Sequence, residues 1–152
     1  MNETNRTGGQ HNVRGRLAYV EQEPFIFSAT IRENVCFGLP HDEKRFEKAV
    51  RMSQLYKDME NFANGEETVI GERGINISGG QKARISLARA IYSNADIYLL
   101  DDPLSAVDPE VANAIFKECI SEYLSDKLVV LVTHQLQFIK NCERILVLSE
   151  KK

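Results

Sequence analysis

Two short groups of residues carry the chemistry of this sequence. Ser78-Gly79-Gly80-Gln81 opens a stretch with helical spacing, and Asp101-Asp102 follows the apolar run 97–100. Ser-x-x-Gln is a capping box, in which the serine oxygen takes one orphan N–H and the glutamine side chain reaches back to the cap. A helix start of this kind presents free N–H groups and the positive end of the helix dipole. With glycines leaving it open, it suits an anion, phosphate above all. Two glycines in a first helical turn cost about 1 kcal/mol each relative to alanine, so the close approach of a ligand is expected to compensate. Taken alone, the same residues also describe an ordinary capped helix.

The aspartates come where a buried strand would end. In an open parallel sheet, ligands bind outside the carboxyl ends of the strands. There one aspartate can hold Mg²⁺, a hard cation that prefers carboxylate and phosphate oxygens, and a neighbouring carboxylate can orient or deprotonate an attacking water; in isolation the pair also reads as two solvated turn aspartates. Asp108 stands where the next helix needs an N-cap, and Pro109 fills its first position. His134 closes the apolar run 128–132 and falls on the same expected sheet edge. A lone histidine is usually only a polar strand end; here its weight comes from converging with the aspartates.

The elements that must position these residues alternate. Continuous apolar runs at 97–100, 128–132 and 145–148 suit parallel strands buried on both faces, and 17–20 is a shorter strand. Helical patterns occupy 79–92, 109–123 and 135–140. Strand and helix in turn predict an α/β sheet with crossover helices. Between 20 and 64 the pattern is more polar: a short helix over 31–36, a helix over 43–54 capped by Asp42 with Phe46, Ala49 and Val50 on its apolar face, and a helical stretch over 55–62 ending at Asn64-Gly65. Residues 1–15 show no periodicity and are expected to fray.

Composition narrows the class. The 152 residues, 43% of them hydrophobic and 27% charged, are enough for one domain with a core. A net charge of −3 with no basic run gives no case for nucleic acid. No apolar segment approaches the roughly 20 residues of a membrane-spanning helix, and the polar start lacks a signal core. Cys36, Cys119 and Cys142 are odd in number and far apart, which fits reduced thiols.

Together these residues resemble the nucleotide-binding domain of ATP-binding-cassette (ABC) transporters over roughly 16–149. "ISGGQ" (77–81) is similar to the family's signature motif, "IYLLDD" (97–102) to the Walker B strand and "SAVD" (105–108) to the D-loop. His134 falls at the switch histidine and Gln22, in "YVEQEPFIFSATIRENVCFG", at the Q-loop glutamine. The wording looks most like the first nucleotide-binding domain of the multidrug-resistance-associated (C) subfamily. The resemblance implies a P-loop NTPase-like, mostly parallel sheet (95–149 holding its Walker B half) with a small helical subdomain over 29–92. It implies ATP and Mg²⁺ as ligands, Gln22 and Asp101 toward the metal, and Asp102, His134 and Gln22 as catalytic residues. Ser78, Gly79, Gly80, Gln81 and Asp108 would contact nucleotide, the signature residues gripping ATP held by a second such domain stacked head to tail. Transmembrane domains would be the other partners, at the cytoplasmic face of a membrane. The function implied is that of part of an exporter ATPase domain; a non-catalytic module docking on a complete domain, or a soluble ABC ATPase, are the alternatives.

Two features depart from the family pattern. No lysine follows a glycine in the sequence, so the phosphate cradle G-x-x-x-x-G-K-[ST] and the strands beside it are expected to be missing, leaving the chain alone with poor affinity for ATP. Asp102 stands where most members have glutamate. It is shorter by about 1.5 Å, and a misplacement of about 1 Å can cost around 10²-fold in rate, so weak hydrolysis at the chain's own site is expected.

Overall fold

A computed structural model describes residues 12–148. Within them, a three-stranded parallel sheet is formed by β1 (Leu17–Val20), β4 (Ile97–Asp101) and β5 (Leu128–Val132), in the order β1-β4-β5. Register places Val20 beside Leu100 and Asp101 beside Val132, so all three carboxyl ends meet at one edge. Between β1 and β4 lie β2 (Ala29–Thr30), α1 (Ile31–Cys36), α2 (Glu43–Met52), α3 (Tyr56–Met59), β3 (Val69–Ile70) and α4 (Gly79–Tyr92). The antiparallel pair β2–β3, which the sequence pattern does not reveal, ties together the two ends of the segment that holds α1, α2 and α3. Between β4 and β5, α5 (Pro109–Ala114) runs on as a wider π-helical segment, Ile115–Tyr123, over the span predicted for one helix.

The caps explain where the helices start. Asp42 Oδ1 accepts the Arg45 N–H at 2.9 Å, and Phe46, Ala49, Val50 and Met52 form the buried stripe of α2. Ser78 and Gln81 form the expected capping box: Gln81 N donates to Ser78 Oγ (3.2 Å) and Ser78 N to Gln81 Oε1 (2.8 Å). α4 is the central helix. It packs against α1, α2 and β1 and buries Ala83 through Tyr92 with the one exception of Arg89, as a helix surrounded on most sides must.

Burial of the sheet departs from expectation. Ala18, Val20, Tyr98 and Leu100 face the packed core. On the opposite face Leu17, Tyr19, Leu128, Val130 and Val132 remain between 41% (Leu17) and 59% (Leu128) exposed. An apolar run fits burial on both faces, but burial needs a covering layer on each, and the described residues place α4 on one face only. The run 145–148 is likewise no strand. It pairs with neither edge of the sheet, and Leu148 is 98% exposed; an apolar segment becomes a strand only when a ladder partner accepts it. The predicted helix over 135–140 is a 3₁₀ segment, Leu136–Asn141, anchored by Phe138 stacked on Phe116. Residues 55–62 are helical only at Tyr56–Met59. Of residues 1–15, 1–11 lie outside the described residues; 12–15 have no regular structure.

Candidate functional site

Gln22, Asp101, Asp102 and His134 all fall at or just past the carboxyl ends of the parallel strands, which lie side by side, and among them Asp102 and His134 meet. Gln22 is exposed in a bend just past β1, Asp101 is the last residue of β4, and His134 follows β5 by two residues. Asp102 turns the chain. Its φ of +47° is left-handed, a conformation aspartate tolerates better than most residues. Its N–H donates to the Val132 carbonyl of the neighbouring strand (2.9 Å), while its own carbonyl accepts from Ser105 N (3.2 Å) and Ser105 Oγ (2.9 Å).

This turn sends the Asp102 carboxylate inward, where its side chain keeps 8% of its exposure. Oδ2 lies 3.0 Å from His134 Nδ1, so a proton on Nδ1 donates to it and orients the ring. Oδ1 is buried and, among the described residues, has no hydrogen-bond partner. A buried carboxylate oxygen left unpaired is costly unless a water or cation supplies the missing contact. Asp101, half-buried, accepts from the Tyr19 hydroxyl at 3.4 Å. No three His, Cys, Asp or Glu side chains form a metal cage among the described residues. The oxygen donors instead suit Mg²⁺, which is commonly held by one or two carboxylates with phosphate oxygens and waters completing the shell. The orphaned Oδ1 is the place such a water or ion would fill.

The glycine turn lies beside the same loop. Ser78 and Gly79 are exposed. A Cβ on Gly80 would meet the Ala106 carbonyl oxygen at 2.9 Å, whereas one on Gly79 would meet only the Ala106 Cβ at 3.7 Å. Part of the compensation expected from a ligand therefore comes from within: Gly80 lets the loop after Asp102 press against the start of α4. Asp108 stands at the N-cap position of α5 with Pro109 behind it, but its side chain makes no capping bond. Its backbone carbonyl accepts Ala112 N–H at 2.8 Å, and the residue is exposed.

Sequence reasoning missed several contributors. Gln135, next to His134, donates through Nε2 to the Leu104 carbonyl (3.2 Å) and ties the histidine loop to the aspartate loop. Asp58 reaches Gln81 and Arg84 of α4. Tyr19 signals itself only as an apolar strand residue. Their partners lie 31, 23, 26 and 82 positions away, beyond any local pattern. Two concavities of about 370 and 760 Å³ run along α2, lined by Lys44 and Lys48 among others, not at the strand ends.

The comparisons bear on the family. The family model described as ABC transporter matches residues 2–105, about two thirds of the chain, and so reaches into the polar start. The chain is 51% identical over 95% of its length to "ATP-binding cassette sub-family C member 4" of Homo sapiens. It is 49% identical over 98% to "ABC transporter C family member 9" of Arabidopsis thaliana, and 47% identical over 98% to "Probable multidrug resistance-associated protein lethal(2)03659" of Drosophila melanogaster. It spans about a tenth of the length of these curated relatives. With the parallel sheet, the capped glycine turn and the Asp102–His134 pair, these matches establish that the chain belongs to the ABC transporter family, in its C subfamily.

Proposed function

We propose that this chain supplies part of an exporter ATPase domain, contributing to two half-sites for MgATP. Its own half-site is the strand edge. Asp101 and Gln22 would face Mg²⁺, His134 the terminal phosphate, and Asp102 the attacking water. Its other half-site, Ser78-Gly79-Gly80-Gln81 with Asp108, two residues past the Ala106 that lies against Gly80, would close on nucleotide held by a second domain. Bound Mg²⁺ would supply charge neutralisation for the phosphates. The observation that carries this proposal is the Asp102 carboxylate, with Oδ2 held by His134 and Oδ1 buried and unpaired.

From this pair the residue roles follow. His134 Nδ1 fixes one carboxylate oxygen, so the second, buried and without a partner among the described residues, is the one that would take the proton once nucleotide and the second domain complete the site. A glutamate would carry that carboxylate about 1.5 Å further; the aspartate already meets the histidine, which supports weak turnover at this half-site. The transmembrane partner would meet a different surface. Phe25 and Phe37, 55% and 53% exposed, cluster with Phe27 at ring separations of 5.8–6.4 Å around Arg89. Exposed aromatics gathered around a cation suit a docked helix, and this segment resembles the one that receives transmembrane-domain helices.

Titration with a fluorescent ATP analogue and Mg²⁺ tests the division of labour. The chain alone is expected to bind no tighter than the high micromolar range, but to associate in an ATP-dependent way with a complete C-subfamily nucleotide-binding domain. Ser78→Arg should abolish that association. Low-micromolar binding by the chain alone, or association indifferent to ATP, would overturn the proposal.

A further inference from the structure

Asp58 sits on the one-turn helix α3, twenty residues before the glycine turn, in a stretch with no motif of its own. Its carboxylate makes three bonds to α4. Oδ2 accepts Arg84 Nε at 2.6 Å, Oδ1 accepts Arg84 Nη2 at 2.8 Å, and Oδ1 also accepts Gln81 Nε2 at 3.2 Å. The fork to arginine is bidentate, the geometry that fixes orientation as well as charge, and the two side chains keep only 10% and 12% of their exposure. The third edge of the guanidinium lies under the turn: Arg84 Nη1 is 3.3 Å from the point a Cβ on Gly80 would occupy.

Gln81 is thereby held at both ends of its amide. Oε1 accepts the Ser78 N–H, closing the capping box, and Nε2 donates to Asp58. Capping bonds fix only the local turn; the bond to Asp58 fixes the turn to a second element. We infer that Asp58, acting through Arg84 and Gln81, is a positioning residue that holds Ser78-Gly79-Gly80-Gln81 in the conformation in which it meets a phosphate. The pair is neutral as a unit, so it steadies the turn without opposing an anion at the helix start. Arginine without Asp58 would be a buried unpaired charge, and Asp58 without Arg84 would place a bare carboxylate beside an anion site.

The purpose of this brace rests on the composite-site proposal, but its geometry does not, and the test uses no nucleotide. Backbone ¹⁵N order parameters at Gly79 and Gly80, and side-chain ¹⁵N relaxation at Gln81, are measured on the labelled chain. A rigid turn gives values near about 0.85; with Asp58→Ala these should fall below about 0.6, while Leu87, Ala88 and the β4 residues stay rigid. Asp58→Asn, which keeps an acceptor oxygen for Gln81 and nearly the same volume, should fall between the two, and it carries the comparison if Asp58→Ala does not fold. An unchanged Gln81 amide in these variants, or a loosening shared equally by Leu87 and Ala88, would overturn the assignment. Failure of ATP-dependent association with this brace intact would instead sink the composite-site proposal.

Discussion

The two glycines at the start of α4 make a matched pair for a stability experiment. Alanine in place of either gains up to about 1 kcal/mol of helix propensity, so comparing the variants largely cancels that gain and isolates what the new methyl touches. At Gly79 the methyl would meet the Ala106 Cβ at 3.7 Å, an ordinary contact. At Gly80 it would meet the Ala106 carbonyl oxygen at 2.9 Å and Arg84 Nη1 at 3.3 Å. The oxygen is backbone, in a loop pinned by the bonds of Ser105 to Asp102, and cannot swing aside as a side chain would. Forced overpacking of this kind costs about 1–3 kcal/mol. Gly79→Ala should therefore be neutral to stabilising, and Gly80→Ala less stable than Gly79→Ala by about 1–3 kcal/mol. With a urea dependence of about 2 kcal/mol per molar, their unfolding midpoints should differ by about 0.5–1.5 M. Coincident midpoints, or a more stable Gly80→Ala, would refute the claim that the loop after Asp102 presses on the glycine turn.

Two further outcomes can be measured on the same chain. Asn34 is fully buried; it donates to the carbonyls of Phe27 and Thr30 (3.0 Å each) and accepts from Phe27 N (3.2 Å) and Arg89 Nη2 (3.3 Å). Asn34→Ala strips several buried groups of partners and should cost about 2–4 kcal/mol in chemical unfolding; a loss below about 1 kcal/mol would count against that hub. Burial pushes the Cys119 thiol and the Tyr98 phenol each up to about 12, above their unfolded values of about 8.5 and 10. The folded state thus holds these protons more tightly, so their contribution is complete below about pH 8.5 and fades as pH rises toward 12. Unfolding midpoints should decline between about pH 9 and 11, less so for Cys119→Ala, and a midpoint that rises over this range would reverse the sign.

The parts of the candidate site that were legible are the ones set by local geometry. The capping box needs Ser78 and Gln81 three residues apart, and the structure contains it. The span of α4 and the strand edge that carries Asp101, Asp102 and His134 followed from periodicity and from parallel strand topology. Two cues were misleading for a physical reason. Apolar runs at 128–132 and 145–148 report a preference for burial, not the presence of a covering layer, and the structure leaves alternate residues of the first and all of the second exposed. Asp108 was placed correctly as a cap position, yet position does not decide a side-chain rotamer, and its capping bond is absent.

What residue order alone determined is what short-range geometry controls: where α4 begins, which strand ends in aspartates, and the motifs that mark the family. Contacts between distant positions were decided only in the folded chain. Asp102 meets His134 across 32 positions, Gly80 meets Ala106 across 26, and Asp58 grips Gln81 and Arg84 across 23 and 26. Each depends on how α3, α4 and the strand-end loops pack, because a side chain's partner is chosen by the surfaces brought together around it and not by its neighbours along the chain.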